Sequence, residues 1–303
     1  MEDLYLEKLI RIPFVYHYTS VESLFAILEE YRQEKELASL PFRAYNIYSV
    51  NDPREMKLGF DFVKKFLPKY ECQIDNSMYL SEIYLDEINE NRCREECYKK
   101  PSDGFVKWGY VPYTISFTTK RDFLPMWSLY GTHFKGICLK FSLQKLTEYT
   151  PEACQFGFVS YDEDEEDPIL VHNFNELYNW EANRMGTAMG IEEKIEELSL
   201  LCTCISPFVK SSDWAYEQEF RIVYNHNYTP QLDRVSIERM LKEGIPKKIV
   251  QPYFYYSVNP NALEEIIIGP KANYNVIEHI LRNELKDCLL NEVKVTPSSI
   301  EIV

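Results

Sequence analysis

The sequence predicts an α+β fold with a mainly antiparallel sheet. Short β-rich runs follow one another along the chain, and the helical stretches are grouped between them. No internal repeat or low-complexity linker interrupts the 303 residues, and 45% apolar with 15% aromatic content is enough to bury a sizeable core. A single domain over 1–303 is expected. Its core would span about 14–270, with helical insertions at about 77–100 and 173–201.

The run FVYHYT (14–19) is β-rich, and Thr19 with Glu22 forms a Thr-x-x-Glu box that opens a helix. Leu24, Ile27, Leu28 and Tyr31 then recur at helical spacing. His17 thus stands two residues before a strand-to-helix corner. A strand around 43–49 meets Asn51-Asp52-Pro53-Arg54-Glu55, where Asp52 can cap, Pro53 suits the first turn and Glu55 closes a second box. Met56, Phe60, Val63 and Leu67 carry that helix onward. After polar helix at 77–100, VPYTISFT (111–118) returns to strand character, and FLPMWSLYG reads as a short helix between Pro125 and Gly131. KGICLKF (135–141) and FGFVSY (156–161) are further strands, and 173–201 is mostly helical. WAYEQEFRIVY (214–224) alternates as a strand, LEEIIIGP (263–270) gives another, and 273–287 forms a closing helix.

Composition narrows the function classes. Thirty-three basic against 48 acidic side chains give a formal charge of −15, which argues against a broad nucleic-acid-binding surface. The start MEDLYLEKLIRIP lacks a basic segment followed by an apolar one, and no apolar run reaches membrane-spanning length, so a cytoplasmic location without membrane contact is expected. Eight dispersed cysteines fit free thiols better than disulfides. Cys93 and Cys97 can share a helix face and Cys202 and Cys204 a strand face, but neither pair has zinc spacing. The acidic run 162–167 reads as a solvated loop, with a cation site or a decoy for a basic partner as its alternative. Gly-rich phosphate loops, HExxH, GxSxG and EF-hand spacing are absent, which removes P-loop enzymes, zincins and α/β-hydrolases from consideration.

Three segments remain as candidate sites. A strand through EQEFRIV points Glu217, Glu219 and Arg221 to one face. That face is either a solvated Glu–Arg ladder, or a carboxylate pair in a cleft with Arg221 positioning one of them or binding an anionic ligand. His17 and Thr19 face the same way on their strand. The histidine reads either as a half-buried donor to a backbone carbonyl or as a ligand-binding group. Asn51 offers a third ligand contact, although a plain helix cap explains every residue of Asn51-Asp52-Pro53 without a ligand and is the preferred reading. Met126, Trp127 and Tyr130 read as core, with Tyr130 able to present a ring for stacking.

The ordered set Tyr16-His17-Tyr18-Thr19, Asn51-Asp52-Pro53-x-Glu55, Ser116-Phe117-Thr118 through Met126-Trp127-Ser128-Leu129-Tyr130 to Gly136, and Trp214 to Arg221 resembles the bacterial family called domain of unknown function 2971, over about 14–270. More distantly the chain resembles the ADP-ribosyltransferase superfamily, whose members carry an early His-x-Thr or His-x-Ser, a middle aromatic and a late Glu-x-Glu. His17-Tyr18-Thr19, Tyr130 and Glu217-Gln218-Glu219 correspond to these, with Tyr18 standing where many members have glycine. The resemblance implies a split sheet with helical insertions and NAD as substrate, with no metal. It further implies ADP-ribose transfer to a protein or nucleic-acid acceptor, in a bacterial stress, toxin or phage-defence setting. Glu219 would stabilise the sugar cation, Glu217 would orient the acceptor, and His17 would hold ribose hydroxyls. Thr19 and Tyr130 would flank the nicotinamide, with Arg221 and Asn51 completing the cofactor-binding set. Two other expectations stand beside this one: a metal-dependent nuclease or phosphoesterase using His17, Asp52, Glu55, Glu217 and Glu219, and a non-catalytic protein-binding module.

Overall fold

The computed structural model describes residues 11–33, 39–47, 54–71, 111–148, 154–161, 170–171, 174–175, 178, 198–199, 201–226 and 253–302. Asn51, Asp52 and Pro53, the acidic run 162–167, Cys72, Cys93, Cys97 and most of the expected helical insertions lie outside these residues.

Nine described strands form one sheet. They are β1 (Phe14–Thr19), β2 (Leu40–Asn46), β3 (Val111–Thr118), β4 (Ile137–Ser142), β5 (Cys154–Phe158), β6 (Glu219–His226), β7 (Tyr253–Val258), β8 (Leu263–Ile268) and β9 (Lys294–Pro297). Helices α1 (Val21–Gln33), α2 (Glu55–Glu71), α3 (Leu124–Leu129), α4 (Leu143–Thr147) and α5 (Tyr274–Asp287) lie between them in the chain. All pairings are antiparallel except β8 with β9, so the α+β, mainly antiparallel class holds. None of the described helices is long and apolar enough to cross a membrane.

The sheet forks at β3. One edge of β3 pairs along its whole length with β6, from Val111↔His226 to Thr118↔Glu219. The other edge meets two different strands. β2 pairs at Tyr45↔Thr114 and Asn46↔Tyr113, whereas β1 pairs only at Tyr16↔Thr118. From there β1 runs with β4 over six pairs, and β2 runs with β7 over six. Between the two contacts Ile115, Ser116 and Phe117 pair on this edge with neither strand, and Ser116 is exposed while its neighbours are buried.

Directly opposed residues of an antiparallel pair share a face, so the register sorts side chains unambiguously. Val15, Ile115, Phe117, Leu139, Phe141, Phe220 and Ile222 fall on one face, where Leu24 and Leu28 of α1 and Leu281 and Leu285 of α5 cover them. Each such fully buried side chain contributes about 1.5–3 kcal/mol, which makes this the principal core. Tyr16, Tyr18, Cys138 and Ile267 fall on the opposite face against Met126 and Trp127 of α3. There the indole donates to Asp122 Oδ1 at 2.7 Å. Gly136 is required where the loop after α3 crosses the end of β1, because a Cβ there would lie 2.3 Å from the Thr19 carbonyl oxygen. The expected α2 positions Met56, Phe60, Val63 and Leu67 are all buried, in a separate cluster with residues around 198–209.

Several local expectations shift. The cap of α1 is Ser20, whose hydroxyl accepts from the Ser23 amide at 3.0 Å, so the helix opens one residue after the Thr19 box. Residues 201–205 are helical rather than extended, and Cys202 and Cys204 are buried free thiols on that helix. The strand expected from 214 begins only at Glu219, because Ser212–Glu217 forms a 3-10 helix and Gln218 takes a left-handed φ of 43°.

Candidate functional site

The segment before β6 brings four charges together. The Ser211 hydroxyl accepts from the Asp213 amide and starts the 3-10 helix, whose last residue is Glu217. The left-handed turn at Gln218 then swings the chain into β6, so Glu217 and Glu219 converge although they do not sit on one strand. Lys210 Nζ lies between them, 2.6 Å from Glu217 Oε2 and 3.2 Å from Glu219 Oε2. Arg221, two residues along the same strand face, holds Glu219 with two bonds of 2.8 Å and donates its third edge to the Pro207 carbonyl. Tyr130, the residue capping α3, donates to Glu217 Oε1 at 2.6 Å. Lys210, Glu217, Glu219 and Arg221 are each less than a tenth exposed, so the expected alternative of a solvated ladder is replaced by a buried, balanced cluster.

Two cations decide the protonation of this cluster. Burial works to raise the Glu219 carboxyl, but Arg221 and Lys210 pull it down to about 2. Glu219 is therefore a carboxylate throughout the physiological range. Tyr130 and Tyr161 are pushed well above the usual phenol range by burial and by Glu217 and Glu219 respectively, so both remain protonated donors.

The fork itself holds a cavity of about 200 Å³. Its walls come from both faces by register: His17, Thr19, Phe42 and Ile115 from the core side, and Arg43, Tyr45, Thr114 and Ser116 from the other. His17 Nδ1 is 2.9 Å from the Ser116 carbonyl oxygen, and its ring packs against Phe42 and Phe117 at 5.6 and 5.7 Å. Burial lowers the imidazole below its ordinary value, with the Ser116 bond opposing, so the ring is neutral at pH 7. A carbonyl can only accept, which puts the proton on Nδ1 and leaves Nε2 an acceptor.

The expected site residues thus divide. Glu217, Glu219, Arg221 and Tyr130 form one cluster. His17 and Thr19 lie on the opposite face of the sheet, since Tyr16 rather than His17 shares a face with Thr118 and Glu219. Asn51 lies outside the described residues, as does Asp52, and the side chain of Glu55 is not described. Ser116 is the link: its carbonyl binds His17, and its side chain shares a face with Arg221 and Glu219. Tyr18, which stands in place of a glycine, turns away from the cavity, packs on Trp127 at 4.9 Å and bonds the Lys120 carbonyl and the Phe123 amide.

Sequence reading missed Lys210, Tyr161 and Ser116. Ser116 falls in the quoted Ser-Phe-Thr run, but only strand pairing reveals its place in the fork. Lys210 lies seven residues before Glu217 and carried no motif; Tyr161 accepts from the Glu219 amide at 2.7 Å across the chain. Among the described residues no group of three His, Cys, Asp or Glu side chains is arranged to hold a metal ion.

No curated protein and no solved structure matches the chain. A family model does, over residues 126–222, a narrower span than the expected 14–270. That span runs from α3 into β6 and includes Tyr130, Lys210, Glu217, Glu219 and Arg221, while His17 precedes it. Over this segment the chain is similar to the family described as protein of unknown function (DUF2971).

Proposed function

We propose that the protein is an NAD-using, ADP-ribosyltransferase-like enzyme whose reaction centre is the fork between β1 and β3. One observation carries the reading: the Ser116 carbonyl is bonded to His17 while the Ser116 side chain lies by register on the face of Arg221 and Glu219, beside a cavity lined by hydroxyl groups. Cleavage of the nicotinamide–ribose bond sends its electron pair to the departing nicotinamide and leaves positive charge on the sugar. Glu219, held ionised by Arg221 and Lys210, supplies a fixed negative charge for that cation. Glu217 stands 2.6 Å from both Lys210 Nζ and the Tyr130 hydroxyl, a position suited to orienting the acceptor whose oxygen or nitrogen attacks the sugar and then loses its proton. His17 Nε2 accepts from a ribose hydroxyl. The acceptor is a protein or nucleic acid, and family resemblance suggests bacterial stress or phage defence.

The test is nicotinamide release from labelled NAD by the purified chain with cell extract as the acceptor source. Glu219→Gln is expected to lower the rate by at least about two powers of ten, with circular dichroism confirming that the variant is folded. A folded variant with undiminished turnover contradicts the assignment.

A second reading has one observation in its favour. The two carboxylates and two cations already neutralise one another in a site from which solvent is nearly excluded, as in a structural brace. On that reading the chain is a protein-binding module, and NAD produces no thermal shift.

A further inference from the structure

The β2–β7 ribbon carries a feature that this chemistry does not use. Its register sets Arg43 opposite Tyr255 and Tyr45 opposite Tyr253, so four side chains project from one face beside the fork. The Arg43 guanidinium lies 4.7 Å from the Tyr253 ring centre, with Tyr255 directly opposite on β7. Arg43 is exposed, and these interactions among the described residues are with tyrosines rather than with a carboxylate. A guanidinium held over a ring by cation–π attraction can still offer N–H groups to an anion.

The cavity size gives that edge a partner. About 200 Å³ is below the roughly 300–1,000 Å³ of pockets that enclose a whole drug-sized ligand. A space of this size suits part of a dinucleotide, whose remainder must continue past the wall. The interior is furnished for sugar hydroxyls, with Thr19, Ser23, Ser116 and the carboxylate of Glu30 on its walls, and Glu30 would repel a phosphate. Arg43 supplies a cation to the lining, and its ring contact is with Tyr253.

We propose that Arg43 binds the diphosphate of a dinucleotide at the rim of the fork cavity, selecting NAD over its phosphate-free nucleoside. This rests on the NAD reading above, and the experiment separates the two. Isothermal titration of the full chain would use NAD, nicotinamide riboside and ADP-ribose, with wild type, Arg43→Gln and Arg43→Lys. Arg43→Gln is expected to weaken NAD and ADP-ribose by about 10–100-fold, the scale of a lost charge-assisted contact, and to leave nicotinamide riboside within about twofold. Arg43→Lys, which keeps the charge but not the planar fork, should fall between. Equal NAD affinity in wild type and Arg43→Gln overturns the proposal while leaving the NAD reading intact. Binding of ADP-ribose that depends on Arg43, with no affinity for NAD or the riboside, supports the anion site and removes the nicotinamide chemistry. A wild type that binds none of the three overturns both.

Discussion

The two faces of the sheet at the fork treat polar groups in opposite ways. On the β6 side, Glu217, Glu219, Lys210 and Arg221 are buried and saturate one another with bonds of 2.6 to 3.2 Å. On the β1 side, His17 is half-buried with one ring nitrogen spent on a carbonyl. The first arrangement fixes charge in place; the second leaves hydrogen-bonding capacity unused. A site that cleaves a glycosidic bond needs both, one to hold a carboxylate ionised and one to receive the sugar. Ser116 meets both sides, through its carbonyl bond to His17 and a side chain on the face of Glu219.

The strongest way to break the comparison is to remove one cation from the saturated side. Lys210→Met leaves two buried carboxylates facing each other with Arg221 alone, and unpairing a buried ion typically costs about 3–5 kcal/mol. Urea denaturation would measure it. A loss below about 1 kcal/mol, the scale of an exposed pair, would mean that the cluster is open to water and that the contrast between the faces is false.

Acid gives a second test, smaller and graded. The folded Glu219 carboxyl lies near 2, below its ordinary value of 4.5, so the folded state binds fewer protons there than the unfolded chain. Its contribution to stability is fully present above pH 4.5 and is lost as pH falls from 4.5 towards 2. Wild type should therefore lose more stability across that window than Glu219→Gln, by a difference of a few kcal/mol at most. Parallel pH profiles for the two proteins would show that Arg221 and Lys210 do not hold the carboxylate as described.

These contrasts also explain how far the sequence could be read. VPYTISFT was legible to its exact ends because alternation of Tyr113, Ile115 and Phe117 with Thr114, Ser116 and Thr118 is a local signal that the tertiary structure respects. The closing helix was legible for the same reason, its start marked by Asn273 accepting from Val276. The short segment before β6 was not. Alternation through WAYEQEF imitates a strand, while the conformation that decides it, a left-handed Gln218, has no strong sequence mark because glycine is absent there. A carboxylate pair was one of two readings of this face, the other being a solvated ladder; Lys210 entered neither, since the lysine contributes from outside the motif.

The fork was beyond local reading altogether. Only the resemblance implied a split sheet. Nothing in the residues at 14–19, 40–46 or 111–118 says that β1 and β2 leave one edge of β3 at different points, because pairing is a property of three strands far apart in the chain. The separation of His17 from Glu219 follows from a parity of one residue, Tyr16 against Thr118. It is this parity that makes Ser116, and not the histidine, the neighbour of the carboxylate.

The central claim is that the fork joins the two faces into one site for NAD, and the histidine ring reports on it directly. Heteronuclear NMR of the imidazole nitrogens during NAD titration should show His17 Nδ1 protonated from the start and Nε2 shifting as a ribose hydroxyl donates to it, with the shift saturating at the affinity measured by calorimetry. NAD that binds without moving the His17 resonances, or that leaves them unmoved because it does not bind, would contradict the account.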